Sequence, residues 1–151
     1  MAGMFMIQHI LEDARRRLAI LGRDSTVVDA AAILADSNRP LVVVCDADGV
    51  AVGVVSRMDI VREFGRSRDA AVETNVDGIM TAEFFGCRED QPLNEMWSNL
   101  NAKGLRCAPL LDDSGRPLGV VHARDIARAL IDEVTHEELS LRDYVLGIGY
   151  R

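Results

Sequence analysis

One short segment of the sequence combines residue types that could bind an anion and a sugar. In "GVVSRMDI" (53–60), an apolar strand pattern runs into Ser56, Arg57 and Asp59. Free N–H groups at the start of a following helix favour a phosphate, which the Ser56 hydroxyl could also contact. The Asp59 carboxylate could accept hydrogen bonds from both hydroxyls of a ribose, and Arg57 could neutralise phosphate charge.

A near copy of this segment, "GVVHARDI" (119–126), follows at an offset of 119 − 53 = 66 residues. A phrase repeated at a fixed offset indicates one supersecondary unit that is used twice. His122 stands where the first copy has serine, while Asp125 keeps the acidic position. With an unperturbed pKa of about 6.5, His122 could add positive charge at lower pH. It could equally block a second site.

The Ser-x-x-Asp pattern also has a purely structural explanation. It is a capping box, in which Ser56 caps the helix and Asp59 reaches back to the N–H of the capping residue. Histidine is a poor N-cap, yet Asp125 remains beside His122. Helix capping alone therefore explains Asp125 less well than it explains Asp59. Capping and ligand binding are also compatible with each other at Asp59.

The composition describes an acidic chain with enough apolar residues for a packed core. The 151 residues are 48% hydrophobic and carry a net charge of −7, which argues against a general nucleic-acid or anionic-membrane binder. Cys45, Cys87 and Cys107 have no CxxC spacing and are interpreted as reduced thiols in or near the core. Because we find no signal peptide and no run of about 18 apolar residues, we expect a cytoplasmic protein.

The repeat predicts the elements that must position the two aspartates. Each half reads as strand, helix, strand, turn, strand and helix, so the predicted fold class is α+β with two β-α-β-β-α repeats. One such unit has too little core of its own, and two packed with pseudo-twofold symmetry would cover both sheets. The predicted divisions are repeat 1 at 7–65, a polar linker at 66–78, repeat 2 at 76–131, and a C-terminal helix and tail at 132–151 with an apolar end at 145–150.

Helix boundaries have local signals. Thr26 can cap a helix with Asp29 as its capping-box acid, and the helix after Ser56 is expected to end at Gly65. Pro92 suits the first turn of the repeat 2 helix.

Three segments resemble the CBS domain, the module named after cystathionine β-synthase. They are "PLVVVCDADGVAVGVVSRMDIV" (40–61), "VDGIMT" (76–81) and "APLLDDSGRPLGVVHARDIA" (108–127), and the resemblance covers about residues 7–131. It implies a tandem pair, or Bateman module. Such pairs commonly bind AMP, ADP, ATP or S-adenosylmethionine in two clefts between the repeats, and usually regulate a partner rather than catalyse.

The resemblance also implies a residue set for each cleft, whose apolar members would hold the base. Arg39, Arg106 and Arg124 are candidate phosphate partners. The first cleft would use Val54, Ser56, Arg57, Asp59, Thr81, Leu105, Arg106 and Cys107. The second would use Val120, His122, Arg124 and Asp125 with Arg39, Pro40 and Leu41.

The leading hypothesis is therefore a regulatory module that binds an adenosine-containing ligand and modulates an effector protein in trans. The alternative is a structural dimerisation or scaffold protein with degenerate pockets. We expect a homodimer, no required cofactor and no nucleic-acid or membrane partner. We do not expect an enzyme, because no set of nucleophile, base and orienting group is evident. We expect no metal site, since His9 and His136 have no ligand spacing with His122.

Overall fold

The chain folds as two three-stranded sheets with helices, as the repeat predicts. The computed structural model describes residues 2–145, with side chains described for 10–135, 137–139 and 141. The strand order is β1-β2-β3 in the first sheet and β4-β5-β6 in the second. The elements are α1 (Ala2–Arg17), β1 (Ile20–Gly22), α2 (Val27–Leu34), β2 (Leu41–Cys45), β3 (Ala51–Ser56), α3 (Arg57–Ser67), β4 (Cys87–Arg88), α4 (Leu93–Ala102), β5 (Cys107–Leu111), β6 (Pro117–His122) and α5 (Ala123–Val145).

The two sheets repeat one another in register. In each, the first strand is parallel to the second, and the second is antiparallel to the third. Leu41 pairs with Ser56, and the residues 66 positions later, Cys107 and His122, pair in the same way. The irregularity near the end of β2 recurs at the equivalent place in β5. The expected pseudo-twofold pair of β-α-β-β-α units is therefore confirmed.

The hairpin turns explain why both repeats have an aspartate followed three residues later by a glycine, at Asp46 and Gly49 and at Asp112 and Gly115. Gly49 and Gly115 have φ values of 83° and 84°, in the left-handed region that favours glycine. The Asp46 carboxylate accepts N–H hydrogen bonds within the first turn, and Asp112 does the same in the second. Each turn brings the next strand back antiparallel to the one before it, β3 along β2 and β6 along β5. Strand β3 therefore ends at the start of α3, and β6 at the start of α5.

Strand β2 is buried on both faces because it separates two cores. Val42 and Val44 pack in a cluster with α2 and α3 residues. Leu41, Val43 and Cys45 pack on the other face in a cluster that includes Val120 of the second repeat. The two repeats therefore share an apolar interface between their sheets.

Helix α1 precedes repeat 1 in the sequence but packs on repeat 2. Ile10 and Ala14 belong to the core of the second half, together with Ile126 of α5. A Cβ atom on Gly119 would lie 2.7 Å from the Cβ of Ala14, so the glycine permits this close approach. The end of α1 is thereby held near the start of α5.

Several boundaries differ from the predictions. Helix α3 continues through Gly65 to Ser67, because Gly65 keeps helical backbone and the turn to positive φ comes at Arg68. Pro92 is the N-cap of α4 rather than a residue of its first turn. Helix α5 runs without interruption to Val145, where a separate helix was expected in the tail, and residues 146–151 lie outside the described part of the chain.

The predicted linker is folded against repeat 1. It contains short 3₁₀ turns at Arg68–Glu73 and Val76–Gly78, with Ala71 and Val76 buried. The N–H of Val76 donates to the Ser25 carbonyl at 2.8 Å. Within the described residues, we find no helix with the length and apolar character to cross a membrane.

Candidate ligand-binding cleft

Residues of both repeats line one cleft of about 890 Å³. Its wall includes Ser56 and Asp59 from the start of α3, and His122 and Arg124 from the start of α5. The two residue sets assigned to separate clefts thus meet in a single cavity. Its predicted members are Val54, Ser56, Arg57, Asp59, Thr81, Leu105, Arg106, Cys107, Pro40, Leu41, His122 and Arg124.

Three predicted site residues, all in the described part of the chain, lie outside the wall of this cleft: Arg39, Val120 and Asp125. Val120 is fully buried in the interface between the sheets. Arg39 lies near Asp36 instead, at 3.8 Å. Asp125 is paired with Arg17 of α1.

Ser56 and Asp59 form the capping box that the sequence allowed. The N–H of Ser56 donates to Oδ2 of Asp59 at 2.8 Å, and the N–H of Asp59 donates to the Ser56 hydroxyl at 3.4 Å. Arg62 lies 3.3 Å from Oδ1 of Asp59, but its side chain is 70% exposed, so water screens this pair. Asp59 therefore caps α3 and also contributes to the wall of the cleft.

Arg57 lines the cleft, but its Nε and Nη2 groups donate to backbone carbonyls, so only part of its guanidinium remains for a phosphate. It donates to the Leu34 carbonyl at 2.8 Å, the Asp36 carbonyl at 2.9 Å and the Arg39 carbonyl at 3.2 Å. Carbonyls at the end of a helix lack intrahelical partners, and a cation there is favourable. Arg57 therefore closes the end of α2 and holds the segment that leads to Pro40.

His122 caps α5 in a way that its residue type did not suggest. Its Nδ1 accepts a hydrogen bond from the N–H of Arg124 at 3.0 Å, which requires the ring to be unprotonated there. Burial lowers the pKa of His122, and Arg124 and Arg17 lower it further, while Asp125 opposes them. His122 is therefore a neutral capping residue near neutral pH.

Arg17 at the end of α1 is the site residue that the sequence analysis missed most clearly. It lines the cleft and donates Nη2 to Oδ2 of Asp125, and Nη1 to the Val120 carbonyl at 3.5 Å. Arg17 and Asp125 are only 16% and 11% exposed. Arg17 is the last of three consecutive arginines at 15–17, and nothing in the local sequence pattern distinguishes the buried one from its neighbours.

The cleft is basic although the whole chain is acidic. Five cationic side chains line it against two acidic ones, while the net charge of the chain is −7. The Nζ of Lys103 lies 5.3 Å from the centre of the Phe85 ring, where cation–π attraction stabilises it. The cationic residues are Arg17, Arg57, Lys103, Arg106 and Arg124, and the acidic ones are Asp59 and Glu83.

Apolar residues give the cleft surfaces on which a flat ring could pack. Val54 and Cys107 were expected, whereas Phe84, Phe85 and Pro109 were not. Burial raises the pKa of the Cys107 thiol, so it acts here as an apolar wall. The cleft therefore combines apolar walls, a carboxylate and an excess of positive charge.

Comparison with known proteins agrees with this architecture. The sequence model of the CBS domain matches residues 7–66 and 76–132. The chain belongs to the CBS domain family. This CBS-domain protein is 27% identical over 144 residues to an uncharacterized 17.7 kDa protein of Acidianus ambivalens, covering 95% of this chain and 86% of that protein. It spans only 19% and 55% of two longer curated relatives.

Solved CBS structures share the fold. The CBS domain pair of protein MJ0100, in complex with 5′-methylthioadenosine and S-adenosyl-L-methionine, has a TM-score of 0.68 and 21% identity. CBSX2 in complex with AMP has a TM-score of 0.67 and 22% identity. Each alignment covers 82% of this chain and 96% of the other. At these identities the likeness establishes a CBS-pair fold.

Proposed function

We propose that this CBS-domain pair is a regulatory module that binds an adenosine-containing ligand, AMP, ADP or ATP, in the cleft between its repeats. Binding would alter the activity of an effector protein in trans. The observation that carries the proposal is a basic cleft in an acidic protein, with the Ser56–Asp59 helix start in its wall. An acidic chain has no general reason to gather cations in one concave site unless an anion binds there.

Each part of an adenine nucleotide has a chemical counterpart in the cleft. Ribose hydroxyls would donate to Asp59, which has acceptor capacity beyond its capping bonds. Phosphates would lie near Arg106, Arg124 and Lys103, the cationic side chains best suited to them. The base would pack against the apolar wall that includes Val54.

The cleft position also suggests how binding would be transmitted. Both repeats line the cleft, so a ligand that contacts both would favour one packing of the sheets over another. A ligand shifts such an equilibrium only by the difference in its affinity for the two arrangements. An effector that contacts both repeats would then sense the nucleotide.

Related structures support the choice of ligand class. The MJ0100 pair was solved with 5′-methylthioadenosine and S-adenosyl-L-methionine, and CBSX2 with AMP. The shared chemistry is an adenosine group. We therefore retain S-adenosylmethionine as a further candidate, with no required cofactor, no catalytic activity and a cytoplasmic location as parts of the same proposal.

A thermal-shift screen tests this proposal. The chain would be melted with AMP, ADP, ATP, NAD or S-adenosylmethionine, because a ligand that binds the native state stabilises it by about 2.7 kcal/mol at 100 times its Kd. We expect at least one of the first three to raise Tm in a concentration-dependent manner. Unchanged melting with every compound would refute the proposal.

A structural dimerisation protein is a second candidate, favoured by exposed apolar side chains on the pseudo-equivalent helices. Val61 on α3 and Ile131 on α5 are 62% and 64% exposed. Met58 and Val134 are similarly exposed on the same two helices. A second copy of the chain could cover both helices, and the homodimer is part of either proposal.

A further inference from the structure

The side chain of Arg17 is hydrogen-bonded to the Asp125 carboxylate, the group that a second ligand would need to contact. We infer that Arg17 closes the Asp125 position, so that the cleft takes one nucleotide per chain, held at Asp59. This inference rests on the proposed function for its ligand class. Arg17 lies outside both repeated segments, 53–60 and 119–126.

The contacts of Arg17 cover both polar groups of the second position. Its guanidinium donates to the Asp125 carboxylate and to the Val120 carbonyl. Both side chains of the pair are largely removed from water. Asp125 consequently lies outside the wall of the cleft, whereas Arg17 itself is part of that wall.

The equivalent position in the first repeat is arranged differently. Val54, the counterpart of Val120, gives its carbonyl to the N–H of Thr81 at 2.9 Å, which is a backbone contact. Among the residues whose side chains are described, the charged partner of Asp59, the counterpart of Asp125, is the solvent-exposed Arg62. Asp59 also lines the cleft. The two aspartate side chains are about equally buried, 13% and 11% exposed, but only Asp59 lines the cleft, because Arg17 lies against Asp125.

Displacement of Arg17 by a ribose would be unfavourable. Neutral hydroxyl donors would replace a charge-assisted hydrogen bond, which is the stronger kind. The guanidinium would lose its carboxylate at a poorly hydrated site, and breaking such a pair is costly. A nucleotide therefore binds preferentially at Asp59.

The packing of α1 keeps Arg17 in this place. Ala14, one turn earlier, lies against Gly119, and Ile10 lies in the core of the second repeat. The last turn of α1 is thus fixed over β6. Arg17 is a specificity residue because it decides whether the cleft offers one or both of the equivalent aspartates, Asp59 and Asp125.

Calorimetric titration with AMP tests the inference through stoichiometry. We expect the native chain to bind one AMP per chain and Asp59→Ala to bind it roughly 10–150-fold more weakly. Addition of Arg17→Ala to the Asp59→Ala variant should restore binding of one AMP, because Asp125 becomes accessible. Further addition of Asp125→Ala should abolish that binding.

Arg16→Ala is the matched control, since Arg16 is a neighbouring arginine that pairs with Asp13 on the exposed side of α1. It should leave one AMP per chain. Arg17→Met, which keeps the aliphatic stem, replaces Arg17→Ala if the latter fails to fold, as judged by its melting curve.

The outcomes separate the inference from the proposed function. Two AMP molecules on the native chain, or no binding to a folded Arg17/Asp59 double variant, would overturn the role of Arg17. If the native chain bound no AMP but the double variant bound one, the Arg17 inference would stand and the Asp59 site would fail.

Discussion

At the scale of single residues, Asp59 serves two purposes that a matched pair of variants can separate. It completes the capping box of α3 and lies in the wall of the cleft. Asp29 completes the same kind of box with Thr26 at the start of α2 and is not among the residues that line the described cleft. The two aspartates therefore share the structural role but not the proposed binding role.

We predict that Asp59→Ala and Asp29→Ala each lower the free energy of unfolding by about 0.5–2 kcal/mol, the usual cost of a lost cap. Only Asp59→Ala should also weaken AMP binding. Loss of hydrogen bonds to a charged group costs about 1.5–3 kcal/mol, or roughly 10–150-fold in Kd. Denaturant unfolding and calorimetry measure the two effects. Equal AMP affinity in both variants would contradict the role of Asp59.

His122 should make stability depend on pH. Its pKa is lowered in the folded chain by burial and nearby arginines, so the unfolded chain takes up the proton first as pH falls. The free energy of unfolding should therefore fall as pH drops from about 7.5 through the unfolded pKa of about 6.5. Protonation would also remove the Nδ1 acceptor that caps α5.

In His122→Ser, which keeps a capping side chain, this part of the pH dependence should disappear. Urea unfolding of both proteins across this pH range tests the prediction, with the remaining histidines common to both. Parallel pH profiles, or a native chain that gains stability in acid relative to the variant, would show that His122 does not titrate in this way.

At the scale of elements, the docking of α1 on β6 depends on Gly119. A Cβ atom there would meet the backbone and side chain of Ala14 at 2.7 Å. We predict that Gly119→Ala destabilises the chain by about 1–3 kcal/mol, as overpacking usually does. Gly65→Ala is the contrasting variant, because its Cβ would meet nothing within 4 Å in a helix.

Gly65→Ala should stabilise the chain by about 0.5–1 kcal/mol, because alanine is the better helix former. Thermal or urea unfolding of both glycine variants distinguishes them. A neutral Gly119→Ala would mean that α1 is free to shift away from β6, and the fixed position of Arg17 would then be in error.

The sequence predicted the elements that repeat and missed the contacts that do not. The offset of 66 residues predicted the paired strands and turns, because each is set by local patterns of valine, aspartate and glycine. The partner of Arg17 is 108 residues away, and no local spacing reports such a contact. The carbonyl partners of Arg57 were missed for a similar reason, because they lie 18 to 23 residues away, at the end of α2 and in the segment after it.

At the scale of the whole molecule, the helices α3 and α5 leave apolar side chains uncovered. Because pseudo-symmetry makes these helices equivalent, one twofold contact could cover both. We predict that the native chain sediments as a dimer, and that Val61→Glu combined with Ile131→Glu gives a monomer, since two charges would enter an apolar contact. Val28→Glu, which changes an exposed valine of α2, serves as the control and should remain dimeric.

Analytical ultracentrifugation of the three proteins at matched concentration decides between these states. A native chain that sediments as a monomer at all concentrations would rule out the homodimer. If Val28→Glu alone gave the monomer, the contact would have to lie on another face.

The most direct test of the nucleotide cleft is a crystal structure of the chain grown with AMP. We predict electron density for AMP between the repeats, with the ribose hydroxyls against Asp59 and the phosphate facing Arg106, Arg124 or Lys103. AMP bound on an outer surface, or bound in the cleft with its ribose turned away from Asp59, would contradict the proposal.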